Sequence, residues 1–187
     1  GLDYDYITQW SYGIFESLNL FIPRLMGGGS YEELDTDSET YKYLKSIGVD
    51  SVQSRDIIKN SPTYWGDQPG VEAPAYIGIV VFFLFVLSIF LISNKNKYWL
   101  FGSILISLLL SYGKNFPLLT NFFIDYFPMY NKFRAVTSIQ VILQLCIPVL
   151  AIFSLCTVIS KNKPVKDVIN ALNKTLVILW VQILIEY

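Results

Sequence analysis

The sequence predicts an all-α fold: a polytopic bundle of membrane helices preceded by a polar, helical N-terminal region. Hydrophobic residues make up 53% of the 187 positions and charged residues only 16%, which is more apolar than a soluble domain. The charges are also segregated. Residues 1–75 hold twelve acids and five bases, whereas residues 76–187 hold three acids and nine bases. We therefore expect an acidic polar region at 1–75 and a transmembrane region at 76–187.

Four apolar stretches define the predicted transmembrane region. Residues 76–93 carry no charge, and residues 98–112 follow after the polar turn NKNK, so this pair is predicted to form a helical hairpin. Residues 135–160 form a third span, in which Pro148 is tolerated because neighbouring helices can satisfy the freed carbonyl. Residues 168–187 contain an apolar run about half as long as a crossing requires, and are interpreted as a partial span.

Lysines set the predicted orientation of these spans. They lie in two short loops that three crossings place on the same side of the membrane, and the positive-inside rule makes that side cytoplasmic. These residues are Lys95, Lys97, Lys161, Lys163 and Lys166. Residues 1–75 and the outer loop, defined here as residues 113–134, are then expected on the outside.

Short helices are predicted within the acidic region. Residues 7–22 have Trp10, Ile14, Leu18 and Phe21 at helical spacing, which indicates an amphipathic helix that ends before Pro23. Residues 26–30, MGGGS, are interpreted as a flexible linker.

Two further helices are expected after this linker. Ser38 is a candidate N-cap for a helix that continues to Ile47, and another short helix is expected over 54–59. Residues 60–74 contain three prolines and two glycines, which predicts an ordered loop.

Histidine is absent, so neither a histidine metal ligand nor a histidine general base is available. The two cysteines, Cys146 and Cys156, lie in one apolar stretch, where a helix would separate them by roughly 15 Å, too far for a disulfide. We expect no metal site and no cofactor.

The outer loop combines many aromatic residues with Lys114, Lys132 and Arg134. Aromatic rings suit a lipid chain at the membrane boundary, and cations suit a phosphate, which Arg134 can bind through two parallel hydrogen bonds. The competing interpretation is that these long side chains only anchor the loop at the interface. The pattern predicts a lipid-phosphate site here.

Gln140 and Gln144 lie one turn apart in the third span. Polar side chains inside a membrane bundle usually form hydrogen bonds between helices. The alternative is that they line a ligand cavity.

Carboxylates and indole rings in the acidic region are candidate contacts for a sugar or an acceptor. Asp3, Asp5 and Glu16 can act as a base, a metal ligand or a contact for a sugar hydroxyl. Trp10, Tyr12, Tyr64 and Trp65 can stack on a sugar ring. An exposed or capping carboxylate and an interfacial aromatic ring explain the same residues without a ligand.

Several separated motifs lie within residues 1 to about 160, namely GLDYDYITQWSYG, IPRLMGGGS, TYWGDQP and SYGKNFPLLTNFFIDYFPMYNKFRAV. Together they resemble the YfhO family of bacterial multi-pass membrane proteins. The positions that match the family pattern are Asp3, Asp5, Trp10, Glu16, Trp65, Lys114, Asn115, Tyr130, Asn131, Lys132 and Arg134. Six of them are the candidate sugar or acceptor contacts: Asp3, Asp5, Trp10, Glu16, Trp65 and Tyr130.

The resemblance implies part of a glycosyltransferase of the C type in the bacterial cytoplasmic membrane. Such an enzyme takes a sugar from a polyprenyl-phosphate carrier on the outer side and transfers it to a cell-envelope acceptor. The expected partners are the carrier, membrane lipids and the rest of the polypeptide, with no nucleic acid. The chain opens without Met or a signal peptide, so we expect an internal fragment whose catalytic carboxylate lies elsewhere. A transporter or lipid flippase, or a non-catalytic membrane subunit, remains the alternative.

Overall fold

The computed structural model describes residues 2–93, 95 and 97–185, with side chains described as far as residue 180. The described residues form eight α-helices and four short 3₁₀ helices, without a strand, which confirms the all-α class. The α-helices are α1 (Tyr4–Ile7), α2 (Glu39–Ser46), α3 (Ser51–Lys59), α4 (Ile79–Leu91), α5 (Lys97–Ser111), α6 (Pro117–Tyr126), α7 (Gln140–Ile159) and α8 (Val165–Ile185).

The chain divides into two compact units. One, called here the helical unit, comprises Gly1–Ser11 and Ile77–Tyr187, and the other, called the polar unit, comprises Tyr12–Tyr76. Residues 2–11 therefore pack with helices that begin more than sixty residues later in the chain.

The helical unit is built around α7. Its side chains Cys146 and Leu150 pack with Ile92 and Leu100 at the hairpin of α4 and α5. A second cluster joins Leu87 and Leu91 of α4 to Ala171 of α8. The Ser154 hydroxyl donates to the Leu84 carbonyl over 2.8 Å, which links α7 to α4 by a polar contact inside an apolar interface.

One continuous helical stretch, Val136–Ile159, is long and apolar enough to cross a membrane. It comprises a short 3₁₀ turn at Val136–Ile139 and α7, which continues through Pro148. At 1.5 Å per residue, α4 and α5 are shorter than a hydrocarbon core about 30 Å thick. The helix α4 begins at Ile79, three residues later than predicted. Gly78 has a φ of 101°, which is incompatible with an α-helical backbone. Positions 168–185 of the predicted partial span lie within α8, and its last two positions, 186 and 187, lie outside the described residues. Positions 94 and 96 of the predicted NKNK turn also lie outside the described residues.

The predicted amphipathic helix over 7–22 is wrong. The segment contains the end of α1 and a 3₁₀ helix, Phe15–Leu20, separated by an irregular stretch. Small polar side chains satisfy local carbonyls there, since the Thr8 hydroxyl donates to the Tyr4 carbonyl and the Ser11 hydroxyl to the Thr8 carbonyl. Such local bonds compete with the helical ladder.

The two predicted short helices of the polar unit are present. Ser38 caps α2 by accepting the Tyr41 amide over 3.3 Å. The helix α3 starts at Ser51, earlier than predicted, because the Asp50 carboxylate accepts the Val52 amide and caps it. A single antiparallel bridge joins Glu32 and Ser61.

The predicted flexible linker at 26–30 is instead a packed turn. Gly28 and Gly29 are buried, and Gly27 has a φ of 80°. A side chain at Gly27 would collide with the Thr63 carbonyl, and the Gly29 carbonyl accepts the Thr63 amide over 3.0 Å. These glycines allow close approach of two backbone segments rather than mobility.

Candidate functional site

The outer loop is folded into short helical segments. A 3₁₀ turn at Gly113–Asn115 leads into α6, for which Pro117 supplies the favoured first-turn proline. A further 3₁₀ turn, Tyr130–Lys132, follows α6. Met129 and Ala135, which flank this turn, adopt left-handed backbone conformations, with φ values of 69° and 66°. The candidate cations are thus held on an ordered loop.

Aromatic rings of α6 pack on one another along the helix. The rings of Phe123 and Phe127 stack with centroids 4.8 Å apart, and Phe123 also meets Tyr130 at 5.5 Å. Phe122 and Tyr126 form a second pair at 5.3 Å. Burial raises the pKa of Tyr130, so this phenol stays neutral. The rings give the loop a rigid apolar body next to its charged residues.

Residues 2–11 attach to this loop at three points. The Leu2 amide donates to the Asn131 carbonyl over 3.0 Å, and the Lys114 amide donates to the Ser11 hydroxyl over 2.9 Å. Between these two ends, the Arg134 guanidinium lies 5.1 Å from the centre of the Tyr6 ring, within cation–π range.

Gly113 permits the contact with Ser11. Its φ is 51°, and a Cβ at this position would collide with Ser11 Oγ and lie 2.7 Å from Val136 Cγ2. The Gly113 carbonyl also accepts the buried Thr120 hydroxyl over 2.9 Å. A larger residue at 113 would therefore separate residues 2–11 from the base of the outer loop.

The three predicted phosphate-binding side chains are exposed to solvent. Among the residues that the structure describes, none of Lys114, Lys132 and Arg134 forms an ion pair. Asp3 and Asp5 are exposed on the attached segment and are likewise unpaired within the described part of the chain. The arrangement presents cations that are available to an anionic group beside carboxylates that are available to a hydroxyl.

Glu16 lies in a different environment, within the polar unit. It is 2% exposed, and its carboxylate accepts the Gly13 amide over 2.6 Å and the Asp67 amide over 3.1 Å. The Tyr64 hydroxyl donates to the same carboxylate. A side chain at Gly66 would collide with this carboxylate and with the Tyr64 hydroxyl.

Burial raises the pKa of Glu16, and the nearby Asp67 carboxylate raises it further, while the donated backbone hydrogen bonds act in the opposite direction. Its described donors belong to residues 13, 64 and 67. Glu16 therefore joins the segment at 12–16 to the loop at 64–67, a contact that supports the fold of the polar unit.

The six candidate sugar or acceptor contacts are divided between the two units. Asp3, Asp5, Trp10 and Tyr130 belong to the helical unit, and Glu16 and Trp65 to the polar unit. Trp65 is 66% exposed, which leaves its ring face available for stacking, whereas Trp10 and Tyr130 are half-buried. Their role in ligand binding stays a prediction.

Gln140 has a packing contact. It is buried, and its side-chain amide donates to the Ser111 hydroxyl at the end of α5 over 3.3 Å. This contact confirms the predicted hydrogen bond between helices for Gln140. Gln144, one turn later, is exposed.

Sequence reasoning named Tyr64 only as a candidate for sugar stacking and did not identify the other residues that position these groups. Ser11, Gly113 and Tyr6 join residues 2–11 to the outer loop, and Tyr64 and Gly66 enclose Glu16.

No protein-family model, no curated protein and no solved structure matches this chain.

Proposed function

We propose that the chain is part of a multi-pass membrane protein that transfers a sugar from a polyprenyl-phosphate carrier to a cell-envelope acceptor. In this proposal the outer loop binds the carrier phosphate. The observation that carries it is the set of exposed cations Lys114, Lys132 and Arg134 on an ordered aromatic loop, none of which forms an ion pair with a described residue. The resemblance of the loop motif to the YfhO family supports the same activity.

Exposed apolar side chains support several membrane crossings. Besides the long stretch Val136–Ile159, α4 and α5 present large apolar residues outward, including Val80, Leu105 and Ile106, which are 68%, 57% and 52% exposed. Such faces are unfavourable in water and favourable against lipid chains. The lysine-rich end then faces the cytoplasm, and residues 1–75 with the outer loop face outward.

Arg134 is the residue best placed to orient a phosphate. The Tyr6 ring beneath it restricts the planar guanidinium, which presents two parallel donors to an anion. Lys114 and Lys132 add charge that stabilises the departing carrier phosphate. Asp3 and Asp5 lie on the segment that is attached to this loop and are the candidates for an acceptor hydroxyl contact.

Substitution in the complete protein tests this function. Arg134→Ala and Lys132→Ala should each lower transfer of sugar to the envelope, by about tenfold or more, because a charged hydrogen bond contributes about 1.5–3 kcal/mol. Lys166→Ala, which removes an exposed lysine from α8, is the matched control and should leave transfer unchanged.

Mass spectrometry of envelope glycans measures the transferred sugar, and immunoblots of membrane fractions measure insertion. Wild-type transfer by both Arg134→Ala and Lys132→Ala would refute the phosphate role of the outer loop. If either variant fails to insert, Arg134→Lys replaces it, because lysine keeps the charge but lacks the two parallel donors of the guanidinium. This variant should show reduced transfer at normal insertion.

A further inference from the structure

A second cationic pocket lies in the helical unit, between the end of α4 and the first turns of α8. Its volume is about 260 Å³, many times what a single water requires. Phe90, Leu91 and Ala171 form its apolar part, and Lys163 and Lys174 bring ammonium groups to its polar part. The chain topology places this pocket at the opposite end of α4 and α7 from the outer loop.

The two lysines are fixed by uncharged partners. Lys163 Nζ donates to the Ser93 hydroxyl over 2.5 Å, and Lys174 Nζ lies 5.6 Å from the centre of the Phe90 ring. Within the described part of the chain, neither ammonium forms an ion pair, although the Asp167 carboxylate lines the same pocket. The pocket thus has two cations and one anion, with the Asn170 amide beside them.

The surrounding chain increases this positive charge. Six lysines lie at this end of the helices, at 95, 97, 161, 163, 166 and 174, against the single acid Asp167 among the neighbouring described residues. Lys97 is already engaged, since its ammonium donates to the Ile92 carbonyl over 2.6 Å at the end of α4. A positive field with an apolar floor favours an anion that carries a hydrocarbon group.

We propose that this pocket binds a phosphate monoester or diester, with Lys163 and Lys174 as its charged donors and the Asn170 amide as a neutral donor. The two sources of such a group are the headgroup of an anionic phospholipid and a soluble phosphate. Phe90 and Leu91 would lie under the glycerol or acyl carbons of the lipid. The proposal requires the helical unit to be folded in a membrane or micelle, and it does not require the outer loop to bind a carrier.

Native mass spectrometry of the complete protein released from detergent micelles provides the test. Phosphatidylglycerol, phosphatidylcholine and inorganic phosphate are added separately at matched concentrations. Binding of phosphatidylglycerol above the other two identifies a lipid headgroup, and binding of inorganic phosphate at the same affinity identifies a soluble phosphate. Either result supports the pocket only if it depends on the lysines.

The Lys163→Gln/Lys174→Gln variant should bind the preferred ligand about tenfold or more weakly, the size expected for loss of charged donors. Lys59→Gln, which replaces an exposed lysine of α3 in the polar unit, should bind within about twofold of wild type. Asp167→Asn should bind more tightly, because it removes the pocket's carboxylate, and misfolding cannot produce that gain. Equal binding by the double variant and Lys59→Gln, or weaker binding by Asp167→Asn, would overturn the proposal.

Discussion

The attachment of residues 2–11 to the outer loop depends on the absence of a side chain at Gly113. Replacement by alanine has two separate costs. The φ of 51° is left-handed, which costs a residue with a Cβ about 1–2 kcal/mol. The new methyl group would also collide with Ser11 Oγ and approach Val136 Cγ2 to 2.7 Å, an overpacking that typically costs about 1–3 kcal/mol. We expect Gly113→Ala to lower the free energy of unfolding by about 2–5 kcal/mol.

Gly102 supplies the matched control. It lies within α5, and a Cβ there would meet nothing within 4 Å. Gly102→Ala should therefore be neutral or stabilising by up to about 1 kcal/mol, because alanine is the better helix former. Both substitutions add one methyl group. They differ in the backbone conformation of the glycine and in the room available for its new Cβ.

Denaturation by SDS in mixed micelles, followed by helical circular dichroism, measures the free-energy difference. Hydrogen exchange at the Lys114 amide gives a local readout, since that amide donates to Ser11 Oγ and should lose protection in Gly113→Ala. Ser11→Gly removes the colliding atoms, so the double variant Ser11→Gly/Gly113→Ala should be less destabilised than the sum of the single variants. Additive effects, together with a Gly113→Ala stability equal to that of Gly102→Ala, would refute the steric argument.

Two other perturbations follow from the same contacts. The free energy of unfolding should fall as the pH rises from 4.5, the ordinary pKa of a glutamate, through the raised pKa of Glu16 in the folded chain. The reason is that the folded state binds the carboxyl proton of Glu16 more tightly than the unfolded state does. Glu16→Gln should remove this pH dependence of unfolding. An unchanged slope in that variant would assign the dependence to other carboxyls. Tyr6→Leu keeps an apolar side chain but removes the ring beneath Arg134, a contact of about 0.5–1 kcal/mol, so carrier-phosphate affinity should fall about two- to fivefold. The effect should vanish in an Arg134→Ala background, and persistence there would exclude a role through Arg134.

Local signals predicted the short helices of the polar unit well. Ser38 caps α2 as expected because an N-cap acts on an amide only a few residues away. The early start of α3 has the same kind of cause, since the Asp50 carboxylate immediately before it accepts the Val52 amide. Helix ends set by a neighbouring side chain are therefore accessible from sequence.

Long-range packing explains where the sequence misled. Spacing of apolar residues predicted a helix over 7–22, but Glu16 draws the segment into contacts with Tyr64 and Asp67, about fifty positions away. The glycines at 27–29 suggested a mobile linker, although Thr63 packs directly on them. Neither partner can be identified from local periodicity, because hydrophobic spacing carries no information on which distant backbone approaches a segment.

The structure also changes which residues belong to the candidate site. By sequence, residues 1–11 begin the acidic region, yet their described contacts in the helical unit are with the outer loop: Leu2 with Asn131, Tyr6 with Arg134 and Ser11 with Lys114. Two of these contacts involve loop backbone, so they fix the path of the chain, and the third restricts the orientation of a guanidinium. Asp3 and Asp5 lie between these attachment points and therefore share the framework of the cations. Under the proposed function, a substitution in this segment should act on phosphate binding as well as on any acceptor contact, because these attachments join the segment that carries Asp3 and Asp5 to the loop that carries the cations.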